Sequence, residues 1–238
     1  MKLEIIAFDI ESCFAIQKSG AHRVELCANA PEGGTTPSAG FIKQARKILS
    51  IELYPIIRPR GGDFLYNEEE FECMLHDVKL SKELGCDGVV SGFLKEDGTI
   101  DKERTKRIVE AAYPMGVTFH RAFDRVMDFE QALEDVIECG CERILTSGGF
   151  PNVMDGLLNI KKFMELADDR IIIMPGSGVR SSNIQKIIAE TNATEIHSSA
   201  RMQKLSAMKF QSSRMEEQLN SYSVDENEVL QMIAAMKN

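Results

Sequence analysis

Short β-branched runs alternate with longer segments of helical periodicity along the chain. The runs are Leu3 to Phe8, Arg23 to Leu26, Glu52 to Ile57, Gly88 to Ser91, Val117 to His120, Arg143 to Thr146, Ile171 to Met174 and Glu195 to His197. Each has the length and side-chain type of a buried strand. Between them, Glu68 to Leu84, Lys102 to Ala112, Phe129 to Cys139, Val153 to Ala167 and Ser181 to Thr191 place apolar residues three and four apart, which predicts helices with one buried face. Asn67, Asp101 and Asp128 stand where N-caps are needed, and Gly140 where a helix must stop. Strict strand-helix alternation requires a parallel sheet, and eight units favour closure into an α/β (β/α)8 TIM barrel over an open sheet. An open doubly wound sheet finds no support, because no strand is followed by a glycine-rich nucleotide loop. After Ser199 a polar connection, Arg201 to Ser223, leads to a closing helix around Val229, Ile233 and Met236.

Composition adds bounds. With 238 residues and 43% hydrophobic content the chain can bury a large core, and a single domain over 1–238 is expected. No apolar run is long enough for a membrane span, and the first residues carry acids where a signal peptide would be apolar, so a cytoplasmic place is expected. A formal charge of -9 opposes nucleic acid and anionic membranes as partners. The six cysteines are scattered and are expected to be free thiols; Cys139 and Cys141 fall on the stability end of the barrel.

In such a barrel, chemistry gathers at the carboxyl ends of the strands. That filter selects Glu25 and Cys27 after the second strand, Arg58 and Arg60 after the third, and Ser91 after the fourth. It also selects His120, Arg121 and Asp124 after the fifth, Thr146 and Ser147 after the sixth, and His197, Ser198 and Ser199 after the eighth. Glu25, His120 and Asp124 are the candidate acid-base groups. Arg58 and Arg60, flanking Pro59 and followed by two glycines, suit a carboxylate or phosphate. Ser177, Gly178 and Ser198, in the Gly-Ser-Gly loop and the His-Ser-Ser run, could complete an amide nest for that anion. Cys27, His120 and His197 are the His and Cys residues at the predicted mouth, and their donors suit copper or zinc. The competing arrangement is a self-satisfied polar plug, with Arg58 and Glu25 as an ion pair, or with Arg58 and Arg60 laced to Asp63, Asp124 or Glu25. No nucleotide cofactor is expected.

The runs Arg23-Val-Glu-Leu-Cys27, Glu32-Gly-Gly-Thr-Thr-Pro-Ser38, Ile57-Arg-Pro-Arg-Gly-Gly-Asp-Phe64, Thr118-Phe-His-Arg-Ala-Phe-Asp124, Leu145-Thr-Ser-Gly148 and Glu195-Ile-His-Ser-Ser199 carry a resemblance. Over roughly residues 1 to 201 the chain resembles the CutC copper-homeostasis family. That resemblance implies a TIM barrel, a cytoplasmic place, a homo-oligomer, and copper handling with Cu(I) bound through cysteine, for which Cys27 is the residue inside a matched motif. Three readings stand beside one another: a Cu(I)-binding protein, an enzyme acting on a small anionic or phosphorylated metabolite, and a noncatalytic scaffold.

Overall fold

A computed structural model describes residues 1–216 and 218–237. The strands are β1 (Lys2–Ala7), β2 (Arg23–Leu26), β3 (Glu52–Pro55), β4 (Gly88–Ser91), β5 (Gly116–Phe119), β6 (Arg143–Thr146), β7 (Ile172–Pro175) and β8 (Glu195–Ser198). They form two parallel runs, β3-β2-β1-β8 and β4-β5-β6-β7. A parallel bridge between Ile56 and Val90 joins β3 to β4, and β7 packs beside β8, so the strands close into a barrel. Around it lie α1 (Ile10–Ser19), α2 (Ala39–Ile48), α3 (Glu68–Glu83), α4 (Lys102–Ala112), α5 (Phe129–Glu138), α6 (Leu157–Ala167), α7 (Ile184–Thr191) and α8 (Glu226–Ala235). This is the (β/α)8 fold that the alternation predicts. No helix among the described residues is long and apolar enough to cross a membrane.

Local chemistry explains where elements begin and break. Asn67 accepts from the Glu70 amide while Glu70 returns the bond to the Asn67 amide, a reciprocal cap on α3. Asp101 and Asp128 cap α4 and α5 as expected. The helix predicted over Val153 to Ala167 is instead a 3-10 turn, Val153–Asp155, followed by α6. The break falls at Gly156, where a Cβ would lie 1.9 Å from the Ser147 carbonyl oxygen; the backbones approach too closely there for any side chain. The helix predicted from Ser181 begins only at Ile184. The polar connection contains an antiparallel hairpin, β9 (Arg201–Lys204) with β10 (Ser221–Val224), before α8. All six cysteines are free.

Side chains alternate along each strand, one set toward the helices and one into the barrel. In β1, Leu3, Ile5 and Ala7 join the main apolar core with Val24, Leu26, Leu53, Val89, Ile144 and Ile196. The inward set is divided by height. Low in the barrel, Glu4, Arg23, Arg143 and Glu195 are buried as a charged network. Arg23 contacts Glu4 and Glu195 at 2.5 Å each, and Arg143 contacts Glu195 at 2.8 Å. Tyr54 has both guanidiniums over its ring, at 5.1 and 5.5 Å from the centroid. Above this layer, Ile6, Cys27, Ile56 and Val90, packed on Tyr54, make an apolar cluster beneath part of the mouth. The charges are tolerated because each is paired in the same layer.

Candidate functional site

Strand register builds the centre of the mouth. Glu4 of β1 lies opposite Arg23 of β2 and His197 of β8, and Ile6 lies opposite Glu25. The Glu4 carboxylate therefore sits between two cationic partners: Arg23 Nε donates to Oε2 at 2.5 Å, and His197 Nδ1 lies 2.7 Å from Oε1. Burial alone would raise the Glu4 carboxyl, but Arg23 and His197 outweigh it and hold it down at about 2. The bond to Glu4 turns His197 so that its Nε2 faces Glu25, at 3.7 Å from Oε2. Burial opposes a charged His197, yet its hydrogen bond with Glu4 and the nearby Glu25 raise its pKa.

Glu25 is in a different position. It is buried, and its carboxylate has no hydrogen-bond donor among the described residues. Burial, reinforced by the charge of Glu4, pushes it up to about 7 against the pull of His197 and Arg23. A carboxyl so placed is poised to take or give a proton near neutrality.

These groups open onto a cavity of about 300 Å³ lined by Glu25, His197, Arg58, His120, Arg121 and Arg125, with Glu32 and Phe64 among its other walls. His120 follows β5. Its Nδ1 accepts from the Ala122 amide at 3.2 Å, and its ring lies 4.8 Å from the ring of Phe64. Burial, aided by the charge of Arg58, lowers its pKa to about 3, so the imidazole is neutral. With Nδ1 accepting, Nε2 carries the hydrogen, and it is buried without a partner among the described residues. Gly92 makes room for this ring, because a Cβ there would meet His120 Nδ1 at 2.6 Å.

The remaining predicted residues divide between wall and scaffold. Arg58 lines the cavity but pairs with backbone, donating to the carbonyls of Glu32, Gly34 and Gly62, and forms no ion pair with Glu25. Arg60 turns away: Glu70, Asp63 and the Leu65 carbonyl occupy it, so it is not beside Arg58 as an anion clamp. Asp124 is saturated by Thr146, the Ser147 and Gly149 amides and Arg121, which makes it an organiser of the loop after β6 instead of a free base. Ser177 donates to the Pro151 carbonyl and Ser198 to the Val179 carbonyl. Neither they nor Gly178 lines the cavity. Arg121 and Arg125 supply cations there instead, and the Arg125 side chain has no hydrogen bond or ion pair among the described residues.

Cys27 fits a metal poorly. Its thiol is fully buried among Ile6, Tyr54, Ile56 and Val90. Burial, then the charges of Glu25 and Glu4, push its pKa well up, which disfavours the thiolate that Cu(I) requires. Cys27, His120 and His197 do not converge on one coordination sphere. Among the described residues, the group whose donor atoms lie within 4.8 Å of one another is Glu4, Glu25 and His197. Those oxygen and imidazole donors are harder than Cu(I) prefers. Glu4 lies in mid-strand, where a filter for strand ends does not reach it. A carboxylate at an inward position of a short apolar run was the available signal.

Comparison with known proteins places the chain in a family. The CutC family model matches residues 1–202. A family protein CutC from Chromobacterium violaceum is 51% identical over 208 residues, covering 87% of this chain and 84% of the relative. The human copper homeostasis protein cutC homolog is 45% identical over 211 residues, covering 89% of this chain and 77% of its own. A crystal structure of CutC from Streptococcus agalactiae superposes with a TM-score of 0.80 at 34% identity, covering 84% of this chain and 98% of that one. The chain therefore belongs to the CutC family.

Proposed function

We propose that the chain serves copper homeostasis, the role that the human relative's name gives that protein, and that its working site is the barrel mouth. The chemistry best supported there is acid-base work on a small anionic or phosphorylated molecule. One observation carries this reading: Glu25, a buried carboxyl without a hydrogen-bond donor among the described residues, faces a cavity with Arg58, Arg121 and Arg125 in its walls. Glu32 offsets one of these cations, and Asp124 is tied to Arg121. Three arginines against Glu32 and Asp124 leave one positive charge for an anionic ligand before Glu25 ionises, while Glu25 and His197 handle the proton. Copper homeostasis then depends on a molecule processed at this mouth, in the cytoplasm, by a homo-oligomer as the family resemblance implies.

Thermal unfolding with 2-phosphoglycolate as probe tests the reading. The wild type should be stabilised, and Arg125→Ala, which removes a cation without breaking a hydrogen bond or ion pair among the described residues, should be stabilised much less. Equal stabilisation of the two, or none in the wild type, would count against it. The direct Cu(I) reading, with Cys27 as ligand and His120 or His197 assisting, draws on the family name and is tested by titration below.

A further inference from the structure

Resting on the acid-base reading of the mouth, we propose that the ligand is a small anionic carbonyl compound and that His120 donates a hydrogen bond to its carbonyl oxygen. The observation behind this is independent of Glu25. His120 is 4% exposed, and its Nε2 has no partner among the described residues although the ring borders the cavity. A histidine serving only as packing would be expected to satisfy both nitrogens, since an unpaired buried N–H destabilises the fold. Here Nδ1 is committed to the Ala122 amide, which fixes the tautomer and leaves a neutral N–H donor. Phe64 backs the ring and carries Arg58 on it, with the guanidinium carbon 5.0 Å from the ring centroid.

A neutral imidazole donor is well matched to an oxygen that gains charge during a reaction, because it stabilises the anion without surrendering its proton beforehand. Glu25, ionised, takes a proton from the carbon beside the carbonyl; the C–H electron pair forms the C=C bond; the carbonyl π pair moves onto oxygen. His120 Nε2–H holds the enolate oxygen and keeps its hydrogen. Glu25 returns a proton to carbon, so neither oxidant nor second reactant is consumed. The cations of Arg58, Arg121 and Arg125 hold the anionic end, which a neutral aldehyde or ketone lacks.

The test uses full-length protein labelled with 15N-histidine and long-range proton-nitrogen correlation, with 2-phosphoglycolate and oxalate as enolate-like probes. His120 should show the neutral Nε2–H tautomer before addition, and this N–H should move downfield when a probe binds. His120→Asn, whose side-chain oxygen can still accept from the Ala122 amide, should bind about tenfold more weakly, the effect of one hydrogen bond. In D2O the wild type should exchange the protons beside the carbonyl of pyruvate or dihydroxyacetone phosphate, and Glu25→Gln should not. If a probe binds in an Arg125-dependent way while the His120 resonance stays put, the donor role is overturned and the acid-base reading survives. If no probe binds the wild type, both fall. Should His120→Asn fail to fold, the wild-type resonance decides alone.

Discussion

Replacing Glu25 with glutamine should make the protein more stable at alkaline pH. The folded carboxyl is pushed up to about 7 from an ordinary 4.5, so the native state binds more protons than the unfolded chain between those values. Its contribution to stability is therefore fully present below the unfolded value and is lost as pH rises through the folded one. At about 1.4 kcal/mol per pH unit, ionised Glu25 costs the fold at most about 3 to 4 kcal/mol above neutrality. Glutamine keeps the shape of the protonated carboxyl and cannot ionise. The sign would be hard to read from the wild type alone, because His120, lowered to about 3, contributes the opposite slope. Its stabilisation is present above its unfolded value and is lost as pH falls. The difference between variant and wild type cancels the His120 contribution. His197 keeps Glu4 but loses Glu25, so part of its own favourable shift disappears and the gain falls below the ceiling. Urea unfolding of both proteins from about pH 4.5 to pH 8.5 should give a difference near zero at the acid end and a gain of about 1 to 3 kcal/mol at the other. A pH-independent difference, or a loss at alkaline pH, would refute the view that Glu25 is a destabilised carboxyl.

Three further outcomes follow from the same structure. Glu195→Gln leaves Arg23 and Arg143 facing each other with one carboxylate fewer between them, and should cost about 3 to 5 kcal/mol in urea unfolding; a loss below about 1 kcal/mol would show that the lower network is solvated. Asp124→Asn should lower the thermal midpoint through the loop after β6 more than it lowers 2-phosphoglycolate affinity, and the reverse order would restore Asp124 to the acid-base set. Cu(I) titration against a competing chelator should show no stoichiometric site that Cys27→Ser removes, because one protonated thiol in an apolar cluster is a poor ligand; a site lost in that variant would favour the direct copper reading.

The barrel was legible because each strand is short and carries aliphatic residues at alternate positions, and the intervening helices carry their own caps at Asn67, Asp101 and Asp128. What pattern could not reveal was long-range contact. The close approach of Gly156 to the Ser147 carbonyl breaks a helix whose periodicity runs through the break. At the mouth, strand ends identify Glu25, Arg58, His120 and His197, which do line the cavity. Arg60 and Ser177 have suitable chemistry on loops that turn away, and orientation after a strand end is set by partners such as Glu70 and Pro151 that spacing does not reveal. Glu4 depends on register: it becomes part of the site only because β8 lies beside β1 with His197 opposite it. A strand buried on both faces in a parallel sheet is ordinarily near-continuously apolar. Glu4, Arg23, Arg143 and Glu195 depart from that rule, and their pairing inside the barrel explains the departure.

The most direct measurement is a crystal structure of the wild type with 2-phosphoglycolate, examined for difference density in the mouth. The probe should lie between Arg58 and Arg125, with a carboxylate oxygen within hydrogen-bonding distance of His120 Nε2 and Glu25 beside the adjoining carbon. An empty mouth under saturating probe, or a metal ion bound to Cys27 Sγ in its place, would contradict it.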